Sequence, residues 1–65
     1  MKKYVIEYEM ENGENDLLNF HDEAEAMEAY EDLKSDSECN YAILKCYLVY
    51  GGICQAEMTM KEYKK

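Results

Sequence analysis

The 65-residue sequence contains no proline, no tryptophan and no arginine, and it has only three glycines and one histidine. The scarcity of proline and glycine, beside seven Tyr, five Met and one Phe, indicates a globular domain and excludes a disordered chain. Without arginine, no bidentate ion pair with a carboxylate can form. No apolar stretch approaches the length of a transmembrane helix, and no apolar signal segment is present. We therefore expect a cytoplasmic protein that does not bind membranes.

The sequence also lacks a recognisable set of catalytic or metal-binding residues. His21 is the only histidine, and no Ser, Cys or second His stands at a catalytic spacing from it. The three cysteines, Cys39, Cys46 and Cys54, match no zinc pattern, so we expect them to be reduced, with Cys46 and Cys54 as small core residues. The segment 11–16 does not fit an EF-hand loop. These absences predict a protein that is not an enzyme, with no catalytic residue, metal or cofactor.

Positive charge is almost missing from the middle of the chain. Between Tyr4 and Leu44 there are thirteen Asp and Glu against one Lys, and eight of those acids lie within Asp22–Glu38. The net charge of −8 exceeds what solubility needs in a chain of this size. Such a field repels phosphate and membrane surfaces and attracts proteins built to hold nucleic acid. The pattern disfavours direct binding to DNA or RNA and favours a basic protein partner.

The length allows one small domain, residues 1–65, in which only about 60% of the unfolded chain's surface is buried. The first strand is predicted over Tyr4–Met10, where apolar residues alternate with Val5 and acids. An Asn12-Gly13 turn signal follows, and then a short strand over Asp16–Phe20. Because opposed residues share a face, we expect Tyr8 opposite Leu18 and Ile6 opposite Phe20, with a loop of three or five residues.

A helix is predicted over about Glu23–Ser35. Asp22 followed by Glu25 resembles a capping box, and acids in the first turn suit the helix dipole. At about 100° per residue, small and apolar side chains gather on one side, which should pack on a sheet. These are Ala26, Ala29, Tyr30 and Leu33, while Met27 should stay partly exposed and Ala24 should point outward.

Two further strands are predicted after the helix. The stretch Asn40–Tyr50 is largely apolar on both faces, and the last strand, from Ile53 to Met60, has one polar side. Placing the apolar sets together requires Leu48 opposite Cys54 and a three-residue loop over 50–52, and it also sets Lys45 against Glu57. The predicted fold is therefore α+β, in the order ββαββ, with a four-stranded, mainly antiparallel sheet and one helix on one face.

The spacing of the acids on the helix suggests a protein-binding surface. Glu25, Glu28 and Asp32 are three and four residues apart, so their carboxylates form a row about 5 to 6 Å in spacing, comparable in scale to phosphates along one nucleic acid strand. The row lacks the interleaved lysines of an ordinary exposed helix. The alternative is a helix face that serves only solubility. We predict partner binding through the acidic residues Glu25, Glu28, Glu31, Asp32, Asp36, Glu14 and Asp16.

The sheet face away from the helix, here called the open sheet face, is the second candidate surface. One helix covers one face only, and the other should bear Val5, Tyr41, Ile43, Tyr47 and Val49, together with Leu17 and Ile53. An apolar patch rich in tyrosine is typical of a protein interface, either with a partner or in a homodimer packed sheet to sheet. Isolated exposed apolar residues on a monomer are the alternative.

In size, acidity and strand-hairpin-helix order, the chain resembles the small acidic proteins that phages use against bacterial immunity, including anti-CRISPR and anti-restriction nucleic-acid mimics. The resemblance is one of class and covers the whole chain. It implies a non-enzymatic DNA mimic that occupies the basic nucleic-acid channel of a Cas effector or similar nuclease in the cytoplasm of a bacterial host cell. The alternative function is a small homodimeric structural or regulatory module that uses the open sheet face, with acidity serving solubility.

Overall fold

Four strands and one helix follow one another in the computed structural model, which describes residues 1–65. Strand β1 spans Lys2–Met10, β2 Asn15–Phe20, helix α1 Glu23–Ser35, β3 Cys39–Tyr50 and β4 Ile53–Lys64. The order ββαββ and the α+β class are thus confirmed, and the predicted bounds of the helix are met. The last strand is longer than predicted, since pairing with β3 continues to Lys64.

The four strands form one antiparallel sheet in the order β2-β1-β3-β4. Because β1 runs antiparallel to both neighbours, β2 and β3 run in the same direction, and α1 connects them across β1. The helix contacts β3, β1 and β2, which places it over three strands. In β4, at the edge of the sheet, Met60 and Tyr63 pack against the core, whereas Ala56 and Met58 are exposed. The helix therefore covers only part of one sheet face.

The core lies between α1 and the two central strands. Ala26 and Tyr30 from the helix are buried against Ile6 and Leu44 of the sheet. Ile6, Leu44 and Ala26 are fully inaccessible to solvent. Ala26 is small enough to bring the helix backbone close to the sheet. Met27 is half-buried and Ala24 exposed, as their positions on the helix predicted. The complete set of buried residues is Tyr4, Ile6, Ala26, Tyr30, Cys39, Ala42, Leu44 and Cys46.

The helix begins at an aspartate cap, as predicted, but the predicted capping box between Asp22 and Glu25 does not form. The Asp22 side chain accepts a hydrogen bond of 2.9 Å from the backbone N–H of Ala24, and the Asp22 carbonyl accepts the first helical bond from Ala26. Glu23 and Glu25 occupy the first turn, where the helix dipole favours negative charge. At the other end, the Asp36 N–H donates to the Leu33 carbonyl and closes the last turn.

The first hairpin has the predicted faces but a register shifted by two residues. Ile6 pairs with Leu18 and Tyr4 with Phe20, so the predicted pairings of Tyr8 with Leu18 and of Ile6 with Phe20 are both wrong; Tyr8 faces Asp16. Five residues separate the last pair, Glu9 and Asn15. A tight turn centred on Asn12 sets this register. The Gly13 N–H donates to the Met10 carbonyl, Gly13 has φ of 88°, and the Asn12 side chain accepts from the Glu14 N–H.

The second hairpin differs from its predicted register because its turn has two residues, not three. Gly51 and Gly52 both have positive φ, 59° and 77°, the backbone of the primed turns whose twist suits a hairpin. Tyr50 therefore pairs with Ile53 and Val49 with Cys54. The predicted pairing of Leu48 with Cys54 is wrong.

A bulge at Gln55 then restores the predicted faces from Ala56 to Thr59. Leu48 pairs with Ala56, and Tyr47 pairs with Glu57. Before the bulge the faces are exchanged: Ile53 shares the helix-side face with Tyr50, and Cys54 lies beside Val49 on the open sheet face. Cys54 is exposed, so its predicted place in the core is wrong, whereas Cys46 is buried. A second irregularity at Met60 shifts the register again, so that Leu44 pairs with Lys61.

Candidate protein-binding surfaces

The acidic helix face consists of Glu25, Glu28, Glu31 and Asp32, all exposed to solvent. With Ala26 and Tyr30 buried against the sheet, the 3.6-residue period places these four acids on an arc of about 120° on the opposite side of α1. The structure thus brings the predicted helix acids together on one surface.

No lysine neutralises the acidic helix face. The ion pairs of the protein are Lys45–Glu57, Lys64–Glu62 and Lys65–Glu11, and none involves an acid between Asp22 and Glu38. Lys34, the one base on the helix, lies in the last turn and makes no ion pair. The charge on this face is therefore available to a partner.

The hairpin acids lie at the end of the molecule where the helix ends. The N–H of Glu11 donates to the carbonyl of Glu38 at 2.7 Å, which ties the β1–β2 turn to the loop after α1. Glu14 is exposed in that turn, and Asp36 is the exposed C-cap of the helix. Asp16 is exposed beside the turn on β2. Asp16, Asp36 and Glu14 therefore extend the acidic helix face around one end of the protein.

Lys65 contacts this acidic end of the protein, and the sequence pattern does not predict that contact. Its ammonium group bonds the Glu11 carboxylate and donates to the carbonyl of Ser37 at 2.8 Å. The backbone of Lys65 also bonds Asn40, at the end of the β3–β4 ladder. The contact spans more than fifty residues of sequence, and it depends on β4 continuing to Lys64.

The open sheet face carries the five apolar residues predicted for it. Val5, Tyr41, Ile43, Tyr47 and Val49 are each half-buried by neighbouring side chains, and no other element packs on them. Leu17, also predicted there, is 54% exposed on β2. Ile53 lies on the other face, as described above. An apolar patch with tyrosines therefore remains uncovered.

A small polar cluster interrupts this patch. Lys45 Nζ lies 3.4 Å from Glu57 Oε1, and the Tyr47 hydroxyl donates to the same carboxylate at 3.3 Å. The predicted ion pair forms, but diagonally, because Lys45 stands opposite Thr59. The hydrogen bond to Glu57 raises the pKa of Lys45, with smaller contributions from Tyr47, Glu57 and Glu7 charges. Partial burial, followed by the Glu57 charge, raises the pKa of Tyr47.

A further apolar surface results from the limited reach of the helix. On the helix-side face of β4, Ala56 and Met58 border a shallow groove with Leu48, Cys46 and Lys2. Met58 is 61% exposed. The alternating pattern of β4 predicts an inward position for Met58 but not the helix placement that leaves it uncovered.

Compared with family models, curated proteins and solved structures, the chain gives no match in any of the three. The 13-residue helix is neither long nor apolar enough to cross a lipid bilayer. No three His, Cys, Asp or Glu side chains are grouped so that they could hold a metal ion.

Proposed function

We propose that this protein is a non-enzymatic inhibitor whose acidic helix face docks on the basic nucleic-acid-binding site of another protein. A bacterial immune effector, such as a Cas effector or a restriction nuclease, is the proposed target, in the cytoplasm of a bacterial cell. The observation that carries the proposal is the unneutralised row of Glu25, Glu28, Glu31 and Asp32 on the exposed side of α1.

The energetics of the row favour binding to a basic groove. Like charges at i,i+3 and i,i+4 spacing repel by about 0.2 to 0.5 kcal/mol per pair in an isolated helix. A partner that supplies lysines or arginines removes this repulsion and adds attraction over the whole row. The acids at the end of the helix and in the β1–β2 turn enlarge the negative surface, so the partner's groove would be contacted by more than one element.

Competition with DNA is the direct test. Proteins captured from a bacterial lysate by the immobilised chain at low salt, and released at high salt, are assayed for DNA binding with and without the chain. We expect the chain and DNA to exclude one another, and chain binding to weaken steeply with salt because charge contacts are screened. A ternary complex of target, DNA and chain would contradict the proposal.

Substitutions then locate the interface. Reversal of Glu25, Glu28 and Asp32 to Lys should abolish inhibition while circular dichroism stays native. Unchanged inhibition would remove the helix from the mechanism.

A matched pair separates docking through the helix from attraction by net charge. The variants E25Q/E28Q/D32N and E7Q/E57Q/E62Q both change the net charge from −8 to −5. The second variant changes only residues of the open sheet face and leaves the helix intact. The helix variant should lose most of its inhibition and the sheet variant should retain it. Equal losses would show that net charge alone attracts the target.

A further inference from the structure

On the open sheet face, each residue of β3 forms a row with the residues that stand opposite it on β1 and β4. The charges in the Tyr41 row and in the Tyr47 row stand in opposite order. The row through Tyr41 has a negative charge on β1, Glu9, and a positive charge on β4, Lys64. The row through Tyr47 has the reverse order. It places a positive charge on β1 and a negative charge on β4, namely Lys3 and Glu57.

The two inner rows are complementary as well. In one, Ile43 stands between Glu7 on β1 and Glu62 on β4. In the next, Lys45 stands between two uncharged residues, Val5 and Thr59. A lysine placed over Ile43 of a second copy would lie between two glutamates.

One symmetry operation brings all these charges together. A two-fold axis parallel to the plane of the sheet, lying between the two packed sheets, perpendicular to the strands and midway between the Ile43 and Lys45 rows, reverses the row order and keeps each strand over its own copy. Lys3 then faces Glu9 of the second copy, Glu57 faces Lys64, and Lys45 faces the Glu7–Glu62 gap. An axis along the strands is less favourable, since it sets Lys3 over Tyr47, Glu9 over Tyr41 and Lys64 over Asn15.

The size and net charge of the face suit such a pairing. The Cα atoms of the protein extend over 38 × 21 Å in the two long directions. The open sheet face can therefore bury at most about 800 Å² per copy, which is the area that each partner buries in a standard protein interface. The face has a net charge of −1 out of −8, so two copies can approach without strong repulsion. Its charged residues are Lys3, Lys45, Lys64, Glu7, Glu9, Glu57 and Glu62.

We infer that the open sheet face binds a second copy of this chain, sheet to sheet, about the two-fold axis described above. Two sheets packed in this way lie about 10 Å apart, with Tyr41, Ile43 and Tyr47 in the interface. Lysine and glutamate side chains are long enough to meet across this gap. Both acidic helix faces point away from the interface, so dimerisation and partner binding use different surfaces.

Sedimentation of charge variants tests the arrangement. As its concentration is raised to about 1 mM, the range in which weak complexes form, the wild type should come to sediment with twice the 7.7 kDa chain mass. Lys3→Glu or Glu9→Lys replaces two attractions per dimer with two repulsions and should raise the dimer dissociation constant at least about tenfold. The double variant K3E/E9K should restore it. Lys34→Glu on the helix, with the same charge change as Lys3→Glu, should leave it unchanged.

Mixing adds a direct test of the contact between Lys3 of one copy and Glu9 of the other. At concentrations where the wild type is dimeric, K3E and E9K chains should each be mainly monomeric, yet together they should form a heterodimer. The unchanged Lys3 of the E9K chain then faces the unchanged Glu9 of the K3E chain, and the two substituted side chains, of opposite charge, face one another. Circular dichroism is used to check that each variant is folded.

Three results would each overturn the inference: a wild-type monomer at all concentrations, a dimer unaffected by K3E, or no heterodimer on mixing. Inhibition by a monomeric K3E variant is measured separately and reports on the helix alone.

Discussion

Four side chains lie in environments that favour their protonated forms. Burial, followed by the nearby Glu31 and Glu62 charges, raises the pKa of Tyr30. Burial, followed by the Asp36 charge, raises the pKa of Cys39, although a hydrogen bond to the Tyr41 carbonyl opposes the shift. Lys45 and Tyr47 also have raised pKa values, as described above. All four shifts have the same sign, so their effects on stability add in the same direction.

A raised pKa in the folded state contributes stability that is fully present below the unfolded pKa and is lost as pH rises through the folded value. The ordinary values are 9.0 for Cys39 and 10.0 for Tyr30. The free energy of unfolding should therefore be flat near neutral pH and fall above about pH 9. Tyr30→Phe should reduce that alkaline slope in urea titrations, since no hydrogen bond of the hydroxyl is lost. Tyr50→Phe, at the exposed tip of the β3–β4 hairpin, should not; equal slopes for both variants would contradict the assignment.

The elements differ in how far local sequence determines them. The helix from Glu23 to Ser35 was predictable because a cap and a 3.6-residue period both lie within the segment. The alternation of β1 and β3 likewise predicted which residues share the open sheet face. Hairpin registers were not predictable in this way, because the turn and the side-chain faces conflict in β3–β4 and a bulge at Gln55 satisfies both. The strand order and charge rows depend on pairing between distant segments.

The Gly51-Gly52 turn determines the β3–β4 register. Both glycines have positive φ, and a Cβ at either position would meet no atom within 4 Å. Gly51→Ala and Gly52→Ala should therefore each cost about 1 kcal/mol through backbone conformation alone, measured by urea unfolding. Gly51→Asn should be nearly neutral, because Asn adopts this conformation in Asn-Gly turns. If Asn and Ala lowered stability equally, strain at positive φ would not be the cause.

At the scale of the whole molecule, charge is separated between surfaces. The open sheet face is almost neutral, while the acidic helix face and the end formed by Glu14, Asp16 and Asp36 hold most of the excess. Self-repulsion in such a distribution destabilises the fold. We therefore expect the acidic helix face, where we propose that a partner binds, to lower the stability of the isolated protein.

Glu28 is the residue at which this conflict should be measurable. It lies three or four positions from Glu25, Glu31 and Asp32 and has no ion pair. Glu28→Lys turns three repulsions into attractions and should stabilise the isolated protein by about 1 kcal/mol, with Glu28→Gln intermediate. In about 1 M salt, where the screening length is about 3 Å, the three proteins should converge in stability. The same series should weaken target binding in the order Glu, Gln, Lys. A variant that gains stability and keeps its inhibition would separate the acidic helix face from the proposed function.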